Sequence, residues 1–424
     1  MRIPMSSPDI TAAEIEAVNQ VLQTPFLSIG PRIAEFEERF AAYVGARHAV
    51  GVSNGTAGLH LGVIAAGIGE GDLVITTPFS FVASANVILY EHAIPIFVDV
   101  DERTGNIDPA LVAEAAHKLT RACPELVEGR QGDKGRGRQG ERETGRQGDK
   151  GARGRLKAVL PVHVFGQPAD MDAINAVAQE YGLTVIEDAC EALGAEYKGR
   201  RIGTQPVTPA LSRVEGCDLR LATVFAFYPN KQITTGEGGM IVTDNDEWAD
   251  LFRSLRNQGR DVHDAWLNHS RLGYNYRLDE MSAALGLAQL GRIEELLAKR
   301  ERVAQWYSRR LKDVEGVQVP YIAPTTTRMS WFVYVIRLAP AINRSAVMAA
   351  LEERGIPSRP YFTPIHLQPF YRERLGTGEG DFPVAEAVAR SSLALPFSGV
   401  MTEEQVEYVC TQLIAVVRQQ LQTR

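Results

Sequence analysis

The chain has 424 residues, 45% of them hydrophobic and 23% charged, and a net charge of −7. That length allows two or three domains with a large core, and the acidic balance argues against a nucleic-acid partner, because phosphate backbones draw basic surfaces. No apolar run is long enough to span a bilayer and the first ten residues lack the apolar core of a secretory signal, so a cytoplasmic protein is expected.

The first half alternates β-branched runs with stretches of helical length. His48–Val52, Leu73–Thr77, Ile94–Val100, Leu156–Val162, Thr184–Glu187 and Ala222–Phe227 read as strands. Between several of them, Thr56–Ile68, Val82–Glu91, Pro109–Leu119 and Met171–Tyr181 have the length of helices. Strands alternating with helices predict a mainly parallel sheet covered on both faces, with ligands gathering at the carboxyl ends of the strands.

Two stretches interrupt this pattern. Residues 121–155 are rich in Gly, Arg, Lys, Asp, Glu and Gln, and Arg130–Gly135 recurs as Arg146–Gly151. Such a composition cannot bury enough apolar surface to offset ordering entropy, so a disordered loop is expected. Thr204–Leu219 is a shorter insert whose Pro209–Gly216 echoes Pro124–Gly129. The second half opens with Asp279 as the cap of a long helix bearing Met281, Ala284, Leu285, Ala288, Ile293, Leu296 and Leu297. A strand over Trp331–Leu338, a helix from about Ser345 to Arg354, and a final helix opened by the capping box Thr402-Glu403-Glu404-Gln405 follow. The expected division is a large domain over 1–265 and a smaller C-terminal α/β domain over 266–424 that includes the long linking helix.

Three short motifs carry chemistry. In Phe225–Gly239 an apolar strand ends at Pro229-Asn230, Lys231 follows, and a Gly-rich turn leads into Met240–Thr243. A lysine just past a buried strand is partly desolvated, which favours a nucleophilic amine, although a surface lysine in a hairpin turn has the same pattern. Val185–Cys190 places Glu187 and Asp188 at the carboxyl end of a strand, where an acid reaches a cleft or caps a helix. Val52–Gly58 opens a helix with Gly55 and Thr56, whose amides and hydroxyl suit a phosphate. An imine-forming lysine, an acid for a ring nitrogen and a phosphate-binding helix start together suit pyridoxal phosphate. The four scattered cysteines hold no CxxC pair and the histidines no HExxH, so no metal site is expected.

Over nearly its whole length outside the two inserts the chain resembles the DegT/DnrJ/EryC1/StrS sugar aminotransferases. The matching segments include Gly30-Pro31, Ser53–Thr56, Thr77–Val82, Phe97–Val100, Pro161–Gly166, Glu187–Ala189, Asn230-Lys231, Gly236–Gly239, Gly273–Leu278 and Tyr361–His366. The resemblance implies fold type I of the pyridoxal-phosphate-dependent transferases, with a mainly parallel seven-stranded sheet flanked by helices and a smaller C-terminal α/β domain. It implies Lys231 as the Schiff-base lysine and Asp188 as the partner of the pyridinium nitrogen. Gly55 and Thr56 match the phosphate turn, and Phe81, ahead of Phe79, the ring that stacks on the cofactor. Asn275 matches an asparagine that reaches the neighbouring subunit's cofactor phosphate, so a homodimer with shared sites is implied. Tyr361 and His366 match positions near the sugar. Two departures stand out: Ala226 replaces a frequent phosphate-binding serine, and Glu191 stands where His or Gln is common at the cofactor, where a second carboxylate would repel Asp188 unless paired or turned away.

The activity implied is ping-pong transfer of an amino group, with L-glutamate as donor, through an imine on Lys231 to a keto group of a nucleotide-linked sugar, in polysaccharide biosynthesis. Pyridoxamine phosphate is the alternate cofactor form. A pyridoxamine-dependent sugar dehydratase of the same family would carry histidine at the lysine position. A regulatory member without catalysis, or an aminotransferase acting on a cyclic ketone without a nucleotide, are the other readings.

Overall fold

The computed structural model describes residues 2–121, 154–204, 221–261 and 268–422. Both expected inserts, apart from their edges, lie outside the described residues. The strands, in chain order, are β1 (His48–Val52), β2 (Leu73–Thr76), β3 (Ile94–Phe97), β4 (Leu156–Leu160), β5 (Thr184–Asp188), β6 (Glu196–Tyr197), β7 (Arg200–Arg201), β8 (Leu221–Ala226), β9 (Gly239–Thr243), β10 (Val317–Gln318), β11 (Thr326–Arg328), β12 (Tyr334–Leu338) and β13 (Ser392–Leu395). Seven of them form one sheet in the order β1-β9-β8-β5-β4-β2-β3. Within it β9 runs antiparallel to both neighbours, and the pairs β5–β8, β4–β5, β2–β4 and β2–β3 are parallel.

The sheet is buried on both faces, and the two-residue strand period divides its side chains between two cores. Val159 and Val185 face one core, while Ala158, Leu160 and Ile186 face the other. Helices Pro31–Val44 and Met171–Tyr181 close the first, and helices Gly55–Ala65 and Asp246–Arg256 close the second. A buried acid orders the entry to the first of these helices. The Glu280 carboxylate accepts the amides of Gly30 (3.0 Å), Arg32 (2.7 Å) and Ile33 (3.0 Å), satisfying donors that have no acceptor within their own helix.

The expected long helix after Asp279 is two helices. Asp279 caps Glu280–Gly291 through the Ser282 amide (2.9 Å), and a break at Arg292 precedes Ile293–Leu311. Arg292 is held there by Asp9 (3.1 Å), Glu14 (2.7 Å) and Glu295 (3.0 Å), a tertiary tether that helical spacing alone does not reveal. The Thr402–Gln405 capping box forms as its sequence requires, with Thr402 N to Gln405 Oε1 at 3.0 Å and Gln405 N to Thr402 Oγ1 at 3.2 Å.

A second sheet, β10-β12-β13, packs with helices Ile293–Leu311, Arg344–Glu352 and Glu403–Gln422 around a separate core. Packing crosses the 265/266 boundary in both directions. Ile3 belongs to this C-terminal core, whereas Ala385, Val388 and Ala389 return to the large sheet. Among the described residues no helix is long and apolar enough to cross a membrane, and no group of three or more His, Cys, Asp or Glu residues could hold a metal ion.

Candidate active site

β1, β5 and β8 run in the same direction, so their carboxyl ends share one edge of the sheet. Asn54–Thr56, Asp188 and Lys231 follow those ends and line one cavity of about 760 Å³. This is the edge at which open α/β sheets bind ligands.

The side chain of Asn54 caps helix Gly55–Ala65 by accepting the Ala57 amide at 2.8 Å. The amides of Gly55 and Thr56, which line the cavity, have no acceptor within that helix. The helix start is packed tightly from below. A Cβ on Gly55 would lie 2.7 Å from Cys190 Sγ and 2.8 Å from Ala226 Cβ, and one on Gly239 would lie 2.7 Å from the Asn54 carbonyl carbon. Glycine at both positions lets the helix start settle between β5, β8 and β9. Ala226 thus supplies contact rather than a hydroxyl. Gly55→Ala should cost about 1–3 kcal/mol of stability and weaken binding of inorganic phosphate and pyridoxal phosphate alike. A thermal melt and a cofactor titration check this, and unchanged phosphate affinity would contradict the assignment.

Strand alternation decides which acid of the Glu187-Asp188 pair faces the cavity. Glu187 pairs with His163 Nε2 (3.1 Å), whose Nδ1 accepts the Ala169 amide (3.0 Å). Asp188 lines the cavity at 6% exposure and accepts the Cys190 amide at 3.1 Å. Burial raises its pKa above the usual carboxylate value, against the hydrogen bonds from Cys190 and the charges of Lys231 and His163. Burial likewise pushes the Cys190 thiol well up, with the Asp188 charge adding to the rise.

Lys231 sits in a closed turn, its amide donating to the Tyr228 carbonyl at 2.9 Å. Its Nζ lies 3.8 Å from the centre of the Phe332 ring and 3.9 Å from Glu191 Oε1, with its side chain 12% exposed. The conflict expected between Glu191 and Asp188 is met by pairing. Glu191 faces the lysine and accepts the Phe165 amide at 2.8 Å. Burial raises its pKa, Lys231 and the Phe165 amide oppose the rise, and Asp188 adds to it. Phe165 presents that amide from a left-handed conformation (φ 58°), a cost its stacking on Phe362 (5.3 Å, 27°) and Tyr361 (6.2 Å, 23°) helps offset.

Phe81 lies at the cavity mouth with 62% exposure, while Phe79 is fully buried in edge contact with Phe165 and Phe362. Tyr361 lines the cavity. Asn275 is exposed and does not line the cavity of its own chain. His366, expected near the sugar, is fully buried away from the cavity, bonded to Glu386 (3.1 Å) and edge-on to Phe382. Asn54, Cys190, Tyr228, Asn230, Tyr276 and Phe332 also line the cavity without having been singled out as ligands. Phe332 lies in an apolar run that sequence reads only as strand, and Asn230, whose buried Oδ1 has no partner, carries no signal beyond its neighbour Lys231.

These donors fit pyridoxal phosphate. The two free-ended amides suit its phosphate, the buried carboxylate a protonated ring nitrogen, and the lysine its aldehyde. The model of the DegT/DnrJ/EryC1/StrS aminotransferase family matches residues 8–126 and 149–414. The chain is 37% identical over 420 residues to a GDP-perosamine synthase of Caulobacter vibrioides, covering 98% of each. It is 35% identical over 430 residues to the spore coat polysaccharide biosynthesis protein SpsC of Bacillus subtilis, covering 98% of this chain and 97% of that one. The crystal structure of DesV from S. venezuelae, in complex with a ketimine intermediate, superposes with a TM-score of 0.81 at 31% identity, covering 98% of both chains.

Proposed function

Because the chain belongs to the DegT/DnrJ/EryC1/StrS aminotransferase family, we propose that it moves an amino group from L-glutamate to a keto group of a nucleotide-linked sugar. One observation carries this reading: Lys231, Asp188 and the Gly55–Thr56 helix start converge on a single cavity. The lysine separates it from dehydration by a relative with histidine there.

When bound, pyridoxal phosphate supplies an aldehyde that bonds an amine and a ring that draws electrons from the carbon beside it. The protein's residues do the rest. The Gly55 and Thr56 amides hold the phosphate end. The Asp188 carboxylate keeps a proton on the ring nitrogen. Lys231 Nζ would carry the proton between the donor's α-carbon and the former aldehyde carbon of the cofactor, and would carry one back the opposite way for the sugar. Glu191 and the Phe332 ring steady Nζ whenever it is charged. Phe81 at the cavity mouth is the ring that would stack on the cofactor, and Tyr228, like Phe81 more than half exposed there, offers further apolar surface.

The working form is a homodimer in which Asn275 serves the partner's phosphate. Phe26, Ile29 and Leu272, each more than half exposed, are further apolar side chains that association would bury. A monomer by sedimentation at assay concentration would refute this. Action in the cytoplasm follows from a nucleotide-linked substrate.

The test of function is to incubate the protein with pyridoxal phosphate, L-glutamate and a set of nucleotide-linked keto sugars, with a cyclic ketone lacking a nucleotide as control. Amino-sugar formation with release of 2-oxoglutarate is expected from a nucleotide-linked acceptor. Amination of the cyclic ketone alone would overturn the acceptor class, and no turnover of glutamate would overturn the donor.

A further inference from the structure

Arg300 is a buried cation that the reaction above does not use. It projects from helix Ile293–Leu311 and is 4% exposed. A guanidinium is expensive to bury without a counter-ion. Among the described residues no carboxylate pairs with it: Asp9, the acid whose charge acts on it, is bonded instead to Lys299 (2.7 Å) and Arg292 (3.1 Å). Burial brings its pKa down to about 10, which still leaves it charged at neutral pH.

Four backbone carbonyls take the place of a counter-ion. Nη2 donates to Asn230 O (3.1 Å) and Lys231 O (2.5 Å), and Nη1 to Trp331 O (3.3 Å) and Phe332 O (3.2 Å). These carbonyls belong to two loops from opposite sides of the interdomain junction, one carrying Lys231 and the other the Phe332 ring that Lys231 Nζ faces at 3.8 Å. One planar fork therefore sets both sides of that contact, which a lysine or an apolar side chain could not do.

A free lysine side chain has several rotatable bonds, and its reach to a bound carbonyl depends on how its backbone is held. We infer that Arg300 is a positioning residue: by tying Asn230-Lys231 to Trp331-Phe332 it holds Lys231 Nζ over the Phe332 ring, ready to bond to an aldehyde in the cavity. This rests on the aminotransferase reading of the site.

The test is to measure binding of pyridoxal phosphate and of pyridoxamine phosphate separately. The aldehyde form can bond covalently to Lys231, and the amine form cannot. Arg300→Lys is expected to weaken pyridoxal phosphate about tenfold, the loss of one or two charge-assisted hydrogen bonds. It should leave pyridoxamine phosphate within about twofold. In a Lys231→Ala background the same substitution should change neither affinity. Equal weakening of both forms, or an undiminished effect without Lys231, would reduce Arg300 to a structural residue and overturn the inference. Should Arg300→Lys not fold, Phe332→Leu keeps the clamp and removes the ring; it should show the same preference for harming the aldehyde form, by about threefold. Equal effects on the two forms there would also overturn it. A wild-type protein that binds neither form would overturn the aminotransferase reading, and this inference with it.

Discussion

Lys231→Ala is expected to lower the rate of amine transfer by roughly 10³–10⁴-fold, because one side chain both forms the covalent link and moves the proton. The fold should survive. The lysine side chain is at the cavity wall, and its turn is fixed by backbone contacts to Tyr228 and Arg300 that alanine keeps. The change should also remove the visible absorption that pyridoxal phosphate gains on bonding to the protein. Glu191 then loses the nearest positive charge and keeps only the Phe165 amide, so its pKa, already raised by burial, should rise further. Product formation over hours, with a circular-dichroism melt as control, checks this. A variant retaining a tenth of wild-type turnover would remove Lys231 from the chemistry.

Asp188→Asn should have nearly as large an effect on rate while raising the stability of the protein without cofactor. Neutral asparagine cannot keep the ring nitrogen protonated, and a loss of about 10²–10⁴-fold is expected for removing a group whose charge is needed in the transition state. In the protein without cofactor, however, the ionised carboxylate is a burden. Its folded pKa is raised above the unfolded value of 3.8 by burial. Over the interval between those two values the folded state binds more protons than the unfolded one, so stability falls as pH rises through it. Above the folded pKa the whole penalty is present. Asp188→Asn should therefore melt higher than wild type near pH 7.5, and the advantage should shrink to nothing as pH falls towards 3.8. Melts of both proteins without cofactor from pH 4 to pH 8 test it. A variant that melts lower at neutral pH would mean that Asp188 is held by attraction to Lys231 and His163 more than it is penalised by burial. Saturating cofactor should reverse the order, since only the wild type gains the ring-nitrogen contact.

Much of the site was legible because its parts are local. The lysine, the acid and the helix start each follow a strand within a few residues, and strand ends in a parallel sheet share an edge. Glu187 against Asp188 was also a local matter once the strand was placed, since the period of two sends the first to His163 and the second to the cavity. His366 shows the limit. The family resemblance places it near the sugar, but whether a histidine meets a cavity or a buried glutamate depends on which helix packs over it, here the one bearing Glu386.

By itself the sequence determined the alternation of strands and helices through the first half, the capped helix starts at Asp279 and Thr402, and the identity of the groups able to bind an aldehyde, a phosphate and a ring nitrogen. These rest on period, capping and residue chemistry, which act over a few residues. Only the tertiary structure decided that the helix after Asp279 breaks at Arg292, that Glu191 pairs with Lys231 and the Phe165 amide, and that Arg300 joins the lysine turn to Phe332. Each of those is a contact between segments far apart in the chain. Its energy depends on burial, and burial is a property of the packed molecule that no window of neighbouring residues contains.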